Sequence, residues 1–257
     1  MIRNVWSYRD LVLSLVRRQY QLRYRQSFVG ILWAFVPPLV TLGAATLVFD
    51  RVLGVDTGTI PYTMFAFAAL APWTFLTNGL VFGIPSVTQA GGMVSRLAFP
   101  RAVLPLSMIG TALIDLAIAV LAFVAFAYAI GEGLPLTALW FPLLLVVEVI
   151  LVAGVVFLGS ALNVFARDVK LVVPLLAQLW LFLTPVMYPL SAVPESLRPW
   201  YLLNPMTGLV ESFRSVLLLG RAPDVGQLFP ALVGAVAVFV LGAWYFAATE
   251  ERFADAI

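Results

Sequence analysis

Six apolar stretches, each long enough to cross a bilayer as a helix, constrain this chain more than any other feature. They cover residues 30–49, 60–84, 103–130, 139–165, 171–188 and 227–248. A bilayer's hydrocarbon core is about 30 Å thick and takes about 20 helical residues to span. In lipid, backbone groups must be satisfied within a helix or a closed barrel. The alternating pattern of barrel strands is missing, so the runs predict helices. Composition agrees: 62% of the residues are hydrophobic and only 11% charged, against about 25% charged in a soluble domain. A water-soluble fold of this size lacks the interior to hide so much apolar surface. The predicted class is therefore an all-α integral membrane protein with six transmembrane helices. Pro72 and Pro185 fall within or near the ends of spans, where membrane helices tolerate them as kinks.

The basic residues set the orientation. With six spans both termini share a side, and that side collects Arg3, Arg9, Arg17, Arg18, Arg23, Arg25, Arg96, Arg101, Arg167, Lys170 and Arg252. The opposite side holds Arg51, Arg198, Arg214 and Arg221. The asymmetry predicts cytoplasmic termini. Residues 1–28 are too Arg-rich for a signal peptide. They place Ser7, Asp10, Ser14, Arg17, Arg18, Gln21 and Arg25 on one helical face and Val5, Tyr8, Leu11, Val12, Leu15, Val16 and Leu22 on the other. That pattern predicts an amphipathic helix lying in the membrane interface. The reading is of one domain over 1–257: the interfacial helix to 28, five spans over 30–188, an outer loop over 189–226, the last span over 227–248, and a cytoplasmic tail over 249–257. The outer loop is too long for a simple connection. Its apolar segments predict short helices dipping into the outer leaflet, with Asn204 before Pro205 as a start signal.

Several chemistries are excluded. The chain has no Cys and no His, which removes thiolate nucleophiles, sulfur-built zinc sites and the commonest general base. Its single Lys, Lys170, lies in Arg-Asp-Val-Lys-Leu, so the chain carries no phosphate-binding P-loop. Basic residues flank apolar runs rather than forming a solvated stripe, which argues against nucleic-acid binding. No metal or cofactor site is expected on this chain. Asp115 and Glu148 fall inside spans, where a carboxylate marks either a proton path or a polar contact between helices. With no basic residue in either span, the structural reading is favoured. A proton-coupled secondary transporter using these two residues is the alternative. Trp33, Trp73, Trp140, Tyr188, Trp200 and Trp244 lie near predicted span ends and read as an aromatic belt, or as rings facing a sugar path.

The segment 86–104 contains Gly91-Gly92 and then Ser95-Arg96-Leu97-Ala98-Phe99-Pro100-Arg101. It reads either as a docking element for a cytosolic partner or as a loop whose Arg residues only set topology. The residues alone leave both open.

Taken in order, the motifs resemble a known family. They are Arg23-Tyr24-Arg25-Gln26-Ser27-Phe28-Val29-Gly30-Ile31-Leu32-Trp33, then Phe99-Pro100-Arg101 with Leu104-Pro105, then Asn163-Val164-Phe165-Ala166-Arg167-Asp168. Leu183-Thr184-Pro185-Val186-Met187-Tyr188, Leu203-Asn204-Pro205-Met206-Thr207 and Phe213-Arg214 complete the series. Across nearly its whole length the chain is similar to the permease subunit of type-2 ABC transporters, in the branch exporting O-antigen, capsular polysaccharide and teichoic acid in bacteria. The resemblance implies a homodimer in the cytoplasmic membrane, two copies of a separate ATPase subunit holding ATP and Mg, and a lipid-linked glycan as substrate. It implies ATPase contacts at Arg96, Phe99, Pro100, Arg101, Arg167 and Asp168, and an outer re-entrant motif around Asn204, Pro205 and Arg214. Trp33 and Tyr188, each beside a matched motif at a span end, are the candidates for a glycan path. Asp115 and Glu148 match none of these motifs.

Overall fold

The computed structural model describes residues 7–24, 36–94 and 99–256. Every regular element among them is helical. In chain order these are α1 (Arg9–Tyr24), α2 (Val36–Ala45, continued by π-helical turns over Thr46–Val52), α3 (Tyr62–Gly83), the single-turn α4 (Ser86–Gln89) and α5 (Gly91–Val94), and α6 (Val103–Ala129). After a 3-10 turn at Leu136–Trp140 come α7 (Phe141–Phe165) and α8 (Val169–Phe182). The segment before the last long helix holds α9 (Arg198–Leu202) and α10 (Pro205–Leu217), followed by α11 (Val225–Thr249) and the short α12 (Phe253–Ala256).

Four helical segments, Tyr62–Gly83, Val103–Ala129, Leu136–Phe165 and Val225–Ala256, are long and apolar enough to cross a membrane. At 1.5 Å per residue even the shortest is about 33 Å long. The other two expected spans come out differently. The run at 30–49 begins outside the described residues and is helical from Val36 to Val52. The run at 171–188 gives only the 14 residues of α8, about 21 Å. It stops at Phe182 because Thr184-Pro185-Val186 turns, with Val186 N–H bonded to the Thr184 carbonyl at 2.7 Å, and Pro185 supplies no N–H to continue the helix.

Lipid gives helices no hydrophobic reason to associate, so close backbone approach must do that work, and small residues permit it. A Cβ on Gly154 of α7 would come within 2.5 Å of the Phe239 backbone nitrogen, and one on Gly242 of α11 would land on the Gly154 carbonyl. These two helices therefore meet backbone to backbone. Along another seam, Gly79 and Gly83 of α3 accept Val152 and Val156 of α7. The outer faces stay apolar and exposed, as at Leu232, Val233, Val240 and Trp244 of α11.

The expected amphipathic helix is present over Arg9–Tyr24. Leu15 and Val16 are buried while Arg17 and Arg18 are exposed. Rather than facing lipid alone, it packs on a span: Val16 sits over Gly110 of α6, and Arg23 reaches Asp115 of α6 with Nη1 to Oδ2 at 2.6 Å. Arg23 Cζ also lies 4.3 Å from the Phe82 ring of α3. Burial, then the Asp115 charge, raises the Tyr20 phenol nearby. Of the expected belt rings, Trp140, Trp200 and Trp244 are exposed. Trp73 is not: α3 continues ten residues beyond it, and the ring is buried edge-on against Trp180, 6.0 Å between centroids. Trp33 lies outside the described residues.

Candidate functional site

The motif residues gather at the two ends of the bundle. At the end where α3 stops and α6 begins, Phe99 is buried and Pro100 partly so, forming the turn that starts α6. The Val103 N–H bonds to the Pro100 carbonyl at 3.0 Å. Arg101 is pinned by its backbone, whose N–H donates to Glu250 Oε1 at 2.6 Å. Its side-chain Nε is buried with no hydrogen-bond partner among the described residues. Arg96 lies outside the described residues.

The 163–168 motif meets this region from α7. Asn163 is buried; its Nδ2 donates to Thr88 Oγ1 at 2.9 Å and its Oδ1 accepts from the Lys170 N–H at 3.1 Å. One side chain thus ties α4, the end of α7 and the start of α8. Arg167, Asp168 and Lys170 stay exposed. With Thr88, Gln89, Asn163 and Ala256, Arg167 and Lys170 line a cleft of about 300 Å³. The C-terminal segment closes the other side: Phe253 is fully buried, 5.2 Å from the Phe246 ring and 6.1 Å from the Phe165 ring. Neither Asn163 nor Glu250 stands out in the sequence as a tie between elements, because Thr88 and Arg101, which they reach, are 75 and 149 residues away.

At the opposite end the remaining motifs become one junction. Asn204 caps α10 by accepting from the Met206 N–H at 3.1 Å. The same oxygen accepts from Trp180 Nε1 at 3.0 Å, and Nδ2 donates to Thr184 Oγ1 at 2.8 Å. Pro205 follows at the first helical position, where its missing N–H costs nothing. Arg214, one turn from the end of α10, is 3% exposed. It donates to the Pro185 and Val186 carbonyls, each at 2.6 Å, and to the Phe65 carbonyl at 3.3 Å. It also pairs with Glu211 at 2.8 Å, and its Cζ stacks 3.6 Å from the Phe65 ring. Tyr62 adds a bond from its hydroxyl to the Met187 carbonyl at 2.8 Å. Tyr188 is half-buried; its hydroxyl donates to the Phe182 carbonyl at 2.7 Å and lies 3.1 Å from the Tyr201 hydroxyl. An Arg this deeply buried needs a full set of acceptors, and the turn after α8 supplies them as backbone carbonyls.

Of the two intramembrane carboxylates, Asp115 has a cationic partner that a search of its own span misses, because Arg23 arrives from α1. Glu148 is fully buried, and neither oxygen has a hydrogen-bond partner among the described residues.

Residues 10–218 match the model of the ABC-2 type transporter family. The O-antigen export system permease protein RfbA of Myxococcus xanthus is 30% identical over 259 residues, covering 100% of this chain and 99% of the relative. A Klebsiella pneumoniae protein of the same name is 26% identical over 248 residues, covering 96% and 94%. The family match spans the 163–168 motif and the Arg214 junction, and the chain belongs to the ABC-2 type transporter family.

Proposed function

We propose that this chain is the transmembrane subunit of an ATP-driven exporter that moves a lipid-linked polysaccharide, of O-antigen, capsule or teichoic acid type, across the bacterial cytoplasmic membrane. Full-length relatives named as O-antigen export permeases support the substrate class. ATP hydrolysis belongs to a separate ATPase, because this chain has no P-loop, and two copies of each subunit complete the exporter. One observation carries the coupling role. Phe99–Arg101, the 163–168 motif and the C-terminal segment converge on one bundle end, where Arg167 and Lys170 are exposed. That end suits a docking partner rich in acceptors. Arg96, Phe99, Pro100, Arg101, Arg167 and Asp168 are the proposed contacts.

The six-span topology with both termini cytoplasmic rests on the eleven-to-four division of basic residues. In this reading 36–52 completes the first span, and α8 with the turn after it forms the fifth. The re-entrant reading of the outer loop is supported by α10, which starts beside Trp180 and Thr184 and ends where Thr137 Oγ1 donates to the Val216 carbonyl. Trp33 and Tyr188 remain the proposed platforms for sugar rings.

Transport by the purified complex in proteoliposomes tests the reading. ATP should drive glycan movement without a proton gradient, and Arg101→Glu should weaken ATPase association or uncouple hydrolysis from export. Transport that needs the gradient and not ATP rejects it. The proton-coupled alternative would use Asp115 or Glu148; Asp115 is instead paired with Arg23 at 2.6 Å, a structural contact between helices, and Glu148 is fully buried.

A further inference from the structure

Beside the Arg214 junction lies a cleft of about 350 Å³, formed by the 56–60 turn, the start of the outer loop and α10. Its volume is at the lower end of the ligand range of about 300–1,000 Å³. Ser191 lines its rim with a hydroxyl that can donate or accept, and the other polar groups share a property. Glu211 is held by Arg214 through Oε1 at 2.8 Å, and its side chain keeps 21% of its surface exposed. Asp56 is exposed, with Oδ1 accepting from the Gly58 N–H at 2.8 Å. The Thr57 hydroxyl gives its proton to the Ile60 carbonyl at 2.7 Å, which leaves its oxygen as an acceptor. Every nitrogen of Arg214 is already engaged with a carbonyl or with Glu211. The cleft therefore offers acceptors and few donors.

Such a cleft selects its ligand. Two carboxylates against one engaged guanidinium repel phosphate and other anions. A metal ion is disfavoured because the best-placed carboxylate is in contact with Arg214, whose charge opposes a second cation. A neutral polyol fits: each hydroxyl donates, and a carboxylate accepts from two neighbouring hydroxyls at once. We propose that this cleft binds a neutral, hydroxyl-rich sugar residue of the glycan at the outer end of the protein, through Glu211, Asp56 and Thr57. The inference rests on the glycan-export reading and adds to it a place and a chemistry. Arg214 is a positioning residue here. It holds Glu211 in one orientation, so no side-chain freedom is lost when the sugar arrives.

The native chain lacks cysteine, so Ser191→Cys at the exposed cleft rim carries a benzophenone photo-crosslinker at a single site. Cells making the exported glycan are compared with cells whose first sugar transferase is inactivated, and saccharide on the purified protein is detected by periodate oxidation and hydrazide labelling. The expected result is a glycan-dependent adduct. It falls about tenfold in Asp56→Asn/Glu211→Gln, the effect of losing acceptors worth about one charge-assisted hydrogen bond. Gln retains an acceptor for Arg214 but loses the charge of the pair, so the adducts are compared at a temperature where melting curves show the parent and the variant both folded. Asp56→Asn alone, on an exposed turn, should lower the adduct several-fold and leaves the bundle untouched. An undiminished adduct in both variants overturns the site. No adduct while ATP-driven export continues overturns it and leaves the transporter reading standing. No adduct together with no ATP-driven export from the unsubstituted complex removes both.

Discussion

Arg214 concentrates the energetics of its end of the protein in one side chain. It satisfies carbonyls of two segments and a carboxylate while stacking on Phe65, so its removal strands several buried acceptors at once. Arg214→Ala is expected to cost about 3–5 kcal/mol, the range for breaking a buried ion pair. It should appear as a large drop in melting temperature in detergent. Arg214→Lys should recover only part of it, since an ammonium lacks the planar fork. The Arg23–Asp115 pair is less buried on the Arg side, with 27% of that side chain exposed, and its net worth is correspondingly nearer about 1 kcal/mol. Its effect is local. Asp115→Asn should loosen α1 and speed tryptic cleavage at the exposed Arg17 and Arg18 several-fold, with melting of the whole protein little changed. Equal cleavage rates would remove the pair as an anchor.

At the scale of elements, glycine placement decides which helices touch. Gly154 and Gly242 bring α7 and α11 into backbone contact, and a side chain at either position has nowhere to go. Gly154→Leu should force the helices apart and destabilise the protein by about 1–3 kcal/mol, the range for overpacking. Gly43 has nothing within 4 Å of its would-be Cβ, so Gly43→Ala should melt at or slightly above the parent temperature, since Ala is the better helix former. Comparable losses at both sites would mean that glycine's backbone, and not the helix crossing, sets the cost. Helix ends follow the same local logic. α10 starts where Asn204 caps and Pro205 removes a donor, and α8 stops where Pro185 follows the Leu183–Thr184 turn.

For the whole molecule, the proposed topology makes a labelling prediction that the cysteine-free chain renders simple. Single cysteines at Thr57, Glu132 and Ser196 should react with an impermeant thiol reagent in intact cells, whereas Gln89→Cys and Ala254→Cys should react only after the membrane is opened. The two groups sit at opposite ends of the long helices in the fold, so labelling of Gln89→Cys from outside would invert the orientation and move the proposed ATPase surface to the wrong side. The same experiment asks whether the 14-residue α8 and its following turn complete a crossing.

The sequence by itself determined the class of solvent, the helical fold and the four long spans, because run length and composition act locally and need no partner. It determined the start of α10 for the same reason, and the order of motifs pointed to the family. Tertiary structure alone decided what those motifs do together. Arg214 finds its carbonyls 28 and 29 residues away, and Asp115 finds Arg23 at a separation of 92. Such pairings depend on which helices pack side by side. The burial of Trp73 and of Glu148 was settled in the same way. A residue's distance from a span end is a one-dimensional quantity, and whether it meets lipid, water or another helix depends on neighbours that folding supplies.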